Sequence, residues 1–208
     1  LSSLVLPSCL SSYKLSKYND AVCYSFNGNK SFTAGGGGAV SINNSKFKKN
    51  IFLMSTNGKT ENYYHKVIGH NFRITEIHAA IGLGQVESFL KIKNLRKKIR
   101  DNYLNFFQKN KLKTFFSKKN TDIIQWFNFF ICENLEDKNK IIRLMNKWNI
   151  NLRNFWKPLH LQPCIKNCLV TSQINTNKIW SRIIILPSSN NLSKKELKYI
   201  QKKLIISI

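Results

Sequence analysis

The spacing of apolar positions predicts strands and loops first and helices later. Ala21-Val-Cys-Tyr-Ser-Phe26 is a short apolar run that ends at Asn27-Gly28, a strong turn signal, so it reads as a buried strand. Gly35 to Gly38 then precede a second apolar run, Ala39-Val-Ser-Ile42. Residues 1 to about Lys59 read as strands and loops. From Ile74 the period changes. Ile74, Ile77 and Ile81 mark a helical face, with Ala79, Ala80, Gly82 and Gly84 permitting close packing. Ile92, Leu95, Ile99, Tyr103 and Phe106 continue at helical spacing, so a helix is expected from Ile74 to about Gln108, bent or broken near Lys91–Lys93. The aromatic run Ile123–Ile131 reads as a strand and Asp137–Trp148 as an amphipathic helix with Ile141, Ile142, Leu144, Met145 and Trp148 near one face. A short strand is expected at Arg182–Leu186. Ser193-Lys-Lys-Glu196 has the form of a capping box that opens a last helix through Ile200 and Leu204.

Composition narrows the class. A chain of 208 residues with 42% hydrophobic residues is long enough for a real core. No stretch approaches the roughly 18 unbroken apolar residues of a membrane helix. Leu1–Leu10 is apolar but lacks a positive leading segment, so it reads as a strand remnant and not a signal peptide. The cysteines Cys9, Cys23, Cys132, Cys164 and Cys168 are odd in number and unpatterned, which offers no metal site and points to a reducing cytoplasm. A formal net charge of +24 raises nucleic-acid binding, most of all at Lys91–Arg100 and Lys109–Lys119. The lysines, however, come with abundant Asn and Ile along the whole chain, the mark of a global bias and not of a phosphate-binding patch.

The candidate chemistry centres on Lys30. It follows the Asn-Gly turn and precedes four glycines, which places one amine between two strands beside backbone bare of side chains. A lysine acts as a nucleophile only when unprotonated, so such a role calls for burial that lowers its pKa. Downstream, Asn71 and Arg73 come just before the Ile74 helix, where a phosphate would meet donors and the positive end of a helix. Trp156 offers a flat apolar face and His160 a titratable donor.

Ser25-Phe26-Asn27-Gly28-Asn29-Lys30, with Thr33 through Gly38, resembles the lysine segment of the DegT/DnrJ/EryC1/StrS family of pyridoxal phosphate (PLP)-dependent sugar-nucleotide aminotransferases, above all the branch that aminates 4-keto-6-deoxy sugars. Gly69-His-Asn71-Phe-Arg73 through Glu87 is similar to the family's Gly-x-Asn-Tyr-Arg segment and Ala-rich helix. Arg153-Asn-Phe-Trp156 through Pro163 resembles its substrate-entrance segment, and Ile185-Leu-Pro187-Ser188 its Leu-Pro-Ser stretch. The resemblance implies an α/β fold, the C-terminal part of a fold-type I chain. Residues 1–95 would be the remainder of the large PLP-binding domain, and residues 96–208 a small α+β domain. It further implies Lys30 as the Schiff-base lysine, Ser25 as a donor to the cofactor phosphate, and Asn71 and Arg73 acting on that phosphate across a homodimer interface. Trp156 and His160 would touch a nucleotide-linked keto sugar, with glutamate as amino donor, in the synthesis of surface polysaccharide or glycan.

One departure stands out. The family holds the pyridinium nitrogen with an Asp, and the matching stretch, Leu4-Val5-Leu6-Pro7-Ser8, has no carboxylate. The first in the chain is Asp20. Two alternatives therefore remain beside a working transaminase: a family remnant without activity, and a basic nucleic-acid-binding module.

Overall fold

The computed structural model describes residues 19–115, 124–165 and 169–208. In chain order the elements are β1 (Ala21–Ser25), β2 (Gly38–Ile42), α1 (Ser45–Ser55), α2 (Glu76–Glu87), α3 (Phe89–Lys109), β3 (Asn128–Ile131), α4 (Leu135–Lys147), β4 (Arg153–Asn154), α5 (Ile174–Ile179), β5 (Ile183–Leu186) and α6 (Lys194–Ser207). The described residues fall into two compact units, 19–93 with 124, and 94–115 with 125–165 and 169–208. The strand expected at Leu1–Leu10, the stretch Leu4–Ser8, and Cys9 and Cys168 lie outside the described residues.

In the first unit β1 and β2 pair antiparallel, from Ala21 opposite Ile42 to Ser25 opposite Gly38. Both apolar runs are strands, but the first, expected to be buried, has no buried residue, and neither has the second. A two-stranded ribbon covers neither of its faces by itself. An open apolar groove of about 990 Å³ lies beside it, its lining including Tyr24, Val40, Ile51 and Phe52. Helix α1 falls in a stretch expected to be strand and loop. Its N-cap is Asn44, whose side chain accepts from the Lys46 N–H at 3.1 Å. The long helix expected from Ile74 breaks at Ser88, earlier than Lys91–Lys93, where φ/ψ of −87°/9° leave the helical basin. Neither α1 nor α2 has a buried residue. The small core here consists of Phe32, Ile92 and Ile124, with Phe89 stacked on Phe32 at 5.0 Å between centroids.

The second unit is built around a three-stranded antiparallel sheet in the order β3-β5-β4. All four residues of the central strand β5 are buried, as befits a β-branched run covered on both faces. Helix α3 contributes Ile99, Tyr103 and Phe107 to the core, α4 contributes Ile141 and Met145, and α6 contributes Leu197, Ile200 and Leu204. Helix α6 starts at the expected capping box: Glu196 N–H donates to Ser193 Oγ at 3.2 Å, and Ser193 N–H donates to Glu196 Oε2 at 2.7 Å. Helix α4 starts at Leu135, two residues before the expected Asp137, because Asn134 caps it by accepting from Asp137 N–H at 2.8 Å. Strand β3 begins only at Asn128, because Arg96 takes the carbonyls of Gln125 and Trp126. Among the described residues no helix is long and apolar enough to cross a membrane.

Candidate active site

The loop between β1 and β2 is tied down by its own backbone. Phe26 N–H donates to Gly37 O at 3.0 Å, carrying the pairing one step past Ser25. Lys30 N–H closes a turn on Asn27 O at 2.9 Å, and Gly28 N–H donates to Asn27 Oδ1 at 2.8 Å, the local bond that makes Asn-Gly a turn former. The chain then folds back onto Phe26 O, which accepts from Ala34 N–H at 2.9 Å and Thr33 Oγ1 at 3.1 Å. Thr33 Oγ1 in turn accepts from Gly35 N–H at 2.9 Å.

Glycine is required along this return. Gly35 and Gly37 have φ of +82° and +79°, in the left-handed region. A Cβ on Gly37 would stand 2.9 Å from Ile74 Cδ1, and one on Gly38 would collide with Tyr24 O. The loop thus lies against the start of α2. Ala34 is fully buried, and a Cβ on Gly82 would stand 3.5 Å from its own.

Sequence reasoning missed one residue of this contact. His78 places its ring 3.6–3.8 Å from where Cβ atoms on Gly35 and Gly36 would be. Its Nδ1 is held 2.7 Å from Thr75 Oγ1, and Thr75 is also the N-cap of α2. The Thr75-x-x-His78 spacing was the available signal, an N-cap followed three residues later by a polar side chain.

Each proposed site residue has a definite place. Lys30 is half-buried, and burial lowers its amine below the ordinary lysine value. Ser31 beside it is buried, with Oγ lacking a hydrogen-bond partner in the structure. Ser25 is exposed at the end of β1. Asn71 and Arg73 are exposed on the segment that leads into α2, where Asn71 pairs as an isolated bridge with Thr56. Arg73 precedes Ile74, the residue lying against Gly37, so this segment and the Lys30 loop meet within the first unit. Trp156 and His160 belong to the second unit. Trp156 is 50% exposed, and His160 Nε2 lies 2.8 Å from Asn177 Oδ1.

The fold that carries this half-buried lysine superposes on solved aminotransferases. Spr1654 of Streptococcus pneumoniae in its PLP form superposes with a TM-score of 0.80 at 25% identity, over 92% of this chain and 52% of that one. The fold is also that of PseC from Helicobacter pylori, an aminotransferase involved in pseudoaminic acid biosynthesis, with a TM-score of 0.79 at 22% identity over 91% of this chain and 53% of that one. Residues 7–205 match the DegT/DnrJ/EryC1/StrS aminotransferase family, and the chain belongs to it. EpsN of Bacillus subtilis, assigned as a pyridoxal phosphate-dependent aminotransferase, is 31% identical over 180 residues, 83% of this chain and 46% of EpsN. The GDP-perosamine synthase of Escherichia coli O157:H7 is 28% identical over 189 residues, 88% of this chain and 50% of that protein. The chain therefore spans about half the length of the curated relatives it matches.

Proposed function

We propose that this chain supplies the lysine-bearing part and the small domain of a PLP-dependent aminotransferase acting on a nucleotide-linked keto sugar. The observation that carries the reading is Lys30: an amine of lowered basicity on a loop clamped to α2, on a strand–turn–glycine path inside the residues that match the family. The residues present fit the cofactor. Lys30 Nζ is the attachment point, Ser25 Oγ is exposed five residues before it, and Gly35–Gly38 keep the neighbouring backbone bare. When bound, the cofactor supplies an electron sink. The protein's share is then to orient and to move protons. With the cofactor bound, Lys30 Nζ, its basicity lowered by burial, would take the proton from the substrate carbon and hold it for delivery to the cofactor carbon, Ser25 Oγ would donate to the phosphate, and the fixed loop would keep Lys30 in place.

Residues 1–95 are read as the remainder of the large domain and 96–208 as the small domain. Asn71 and Arg73 are assigned to the phosphate of a second subunit's site. That assignment is supported by α2, where Ile77, Ile81, Leu83 and Val86 are exposed on different sides of one helix. A helix apolar all round belongs inside an assembly. Trp156 and His160 are assigned to the sugar nucleotide, glutamate to the donor role, and the pathway to surface polysaccharide or glycan. The free cysteines Cys23, Cys132 and Cys164 are compatible with the reducing cytoplasm proposed for it.

A second reading rests on Asp20, the first carboxylate of the chain. Its Oδ1 accepts from Asn44 Nδ2 at 2.9 Å and its backbone O from Asn43 and Asn44, which commits it to the entry of α1. This chain by itself is therefore expected to capture the cofactor without rapid turnover. The test is borohydride reduction of the purified chain with PLP, followed by peptide mapping. Labelling at Lys30 that Lys30→Ala removes supports the proposal; labelling scattered over many lysines rejects it.

A further inference from the structure

The segment before β3 is shaped by an arginine placed beneath it. Arg96 on α3 is 8% exposed, and its Nη1 donates to Gln125 O at 3.3 Å and Trp126 O at 3.1 Å. These carbonyls serve a buried cation instead of a neighbouring strand. Arg96 Nε has no hydrogen-bond partner in the structure. Keeping a guanidinium out of water is unfavourable, so the backbone shape it imposes calls for an explanation.

That shape displays rings. The centroids of Trp126 and Phe127 are 4.4 Å apart, and Trp156 lies 5.3 Å from the first and 5.2 Å from the second. None of the three is in the buried core of the second unit, and half of the Trp156 surface is open. Arg153 and Lys157, both exposed, flank Trp156 in the chain. An exposed Trp156 ring backed by the partly buried Trp126 and Phe127, with exposed cations three residues before it and one after it in the chain, suits a ligand with one flat face and a negative charge. An apolar protein surface would match the rings and leave the cations unanswered.

We propose that Trp126, Phe127 and Trp156 form a stacking platform for the planar base of a nucleoside diphosphate, with Arg153 and Lys157 attracting its phosphates. This inference rests on the sugar-nucleotide reading and extends it by assigning base recognition to the second unit. Every base offers a π face, so the platform favours nucleotides over inorganic anions without fixing which base.

Calorimetric titration of the full chain with UDP and GDP tests it. Trp156→Ala is expected to weaken binding about tenfold or more, the scale of one lost base–aromatic stack, while Trp156→Phe keeps most of it. Equal binding of inorganic pyrophosphate, or an unchanged Trp156→Ala variant, overturns the proposal. Much tighter, steeply salt-dependent binding of a short single-stranded oligonucleotide also overturns it and makes the face a nucleic-acid surface. Lys30 capture in the same preparation separates the two claims. Lost capture with Trp156-dependent nucleotide binding rejects the aminotransferase reading alone; intact capture with an indifferent Trp156 rejects the platform alone.

Discussion

The two units of this chain bury their side chains very differently. The second gathers residues from three helices and a sheet into one core, with Tyr103, Phe107, Met145, Ile184 and Leu204 fully buried. The first has a core of Phe32, Ile92 and Ile124, while Phe52, Ile68, Phe72, Ile77, Leu83 and Leu90 are all more than half exposed. Exposed apolar patches on this scale mark interaction surfaces. The unit that holds Lys30 is ordered at the loop and open around it, whereas the unit that holds Trp156 has a core of its own.

The sharpest way to break the contrast is to cut into both units. Met145→Ala, at a fully buried site, should destabilise the second unit by about 2–5 kcal/mol in denaturant unfolding. Ile81→Asp, at a site 47% exposed, should change monomer stability by no more than about 0.5 kcal/mol while weakening self-association in sedimentation. Equal destabilisation by the two would erase the difference. Gly38→Ala comes next. Its Cβ would meet the Tyr24 carbonyl, so the hairpin should distort and Lys30 capture fall, with unfolding of the second unit unchanged. Ser193→Ala removes the capping bond to Glu196 and should cost α6 about 1 kcal/mol, read in the unfolding of the second unit. The smallest effect concerns thiols. Cys132 is buried, which pushes its pKa up to about 11, so in the native state alkylation should reach the exposed Cys23 and Cys164 and spare Cys132.

What the sequence made legible follows the same division. In the second unit the apolar periods at Ile99–Tyr103 and Ile141–Met145 and the Ser193–Glu196 cap were readable, because burial on one side of a helix imposes its period on the residues. In the first unit α1 was missed. Its apolar residues Phe47, Phe52 and Met54 are exposed, so no inner stripe separates them from the lysines. The two strands were legible as strands, but their exposure was not, since an apolar run does not state what covers it. The turn at Asn27-Gly28 was local and therefore visible. The Thr75-x-x-His78 spacing records the helix cap, but the seating of His78 over Gly35 and Gly36 is a contact across more than forty residues that the spacing does not carry. The late start of β3 likewise depends on Arg96, about thirty residues away.

The most direct measurement is the pH dependence of PLP capture, mapped lysine by lysine. Burial favours the neutral Lys30 amine, so protons leave it below the ordinary value of 10.5. The sign for stability follows: folding carries a penalty while Lys30 is charged, and the penalty fades as pH rises from its lowered pKa toward 10.5. Lys138 is also lowered by burial, but it is only 5% exposed and its Nζ donates to Ser181 O at 2.6 Å, which keeps it from the reagent. Capture should therefore remain confined to Lys30 as pH falls through the range where surface lysines stop reacting. Capture at Lys30 that fades together with the surface lysines would contradict a prepared site.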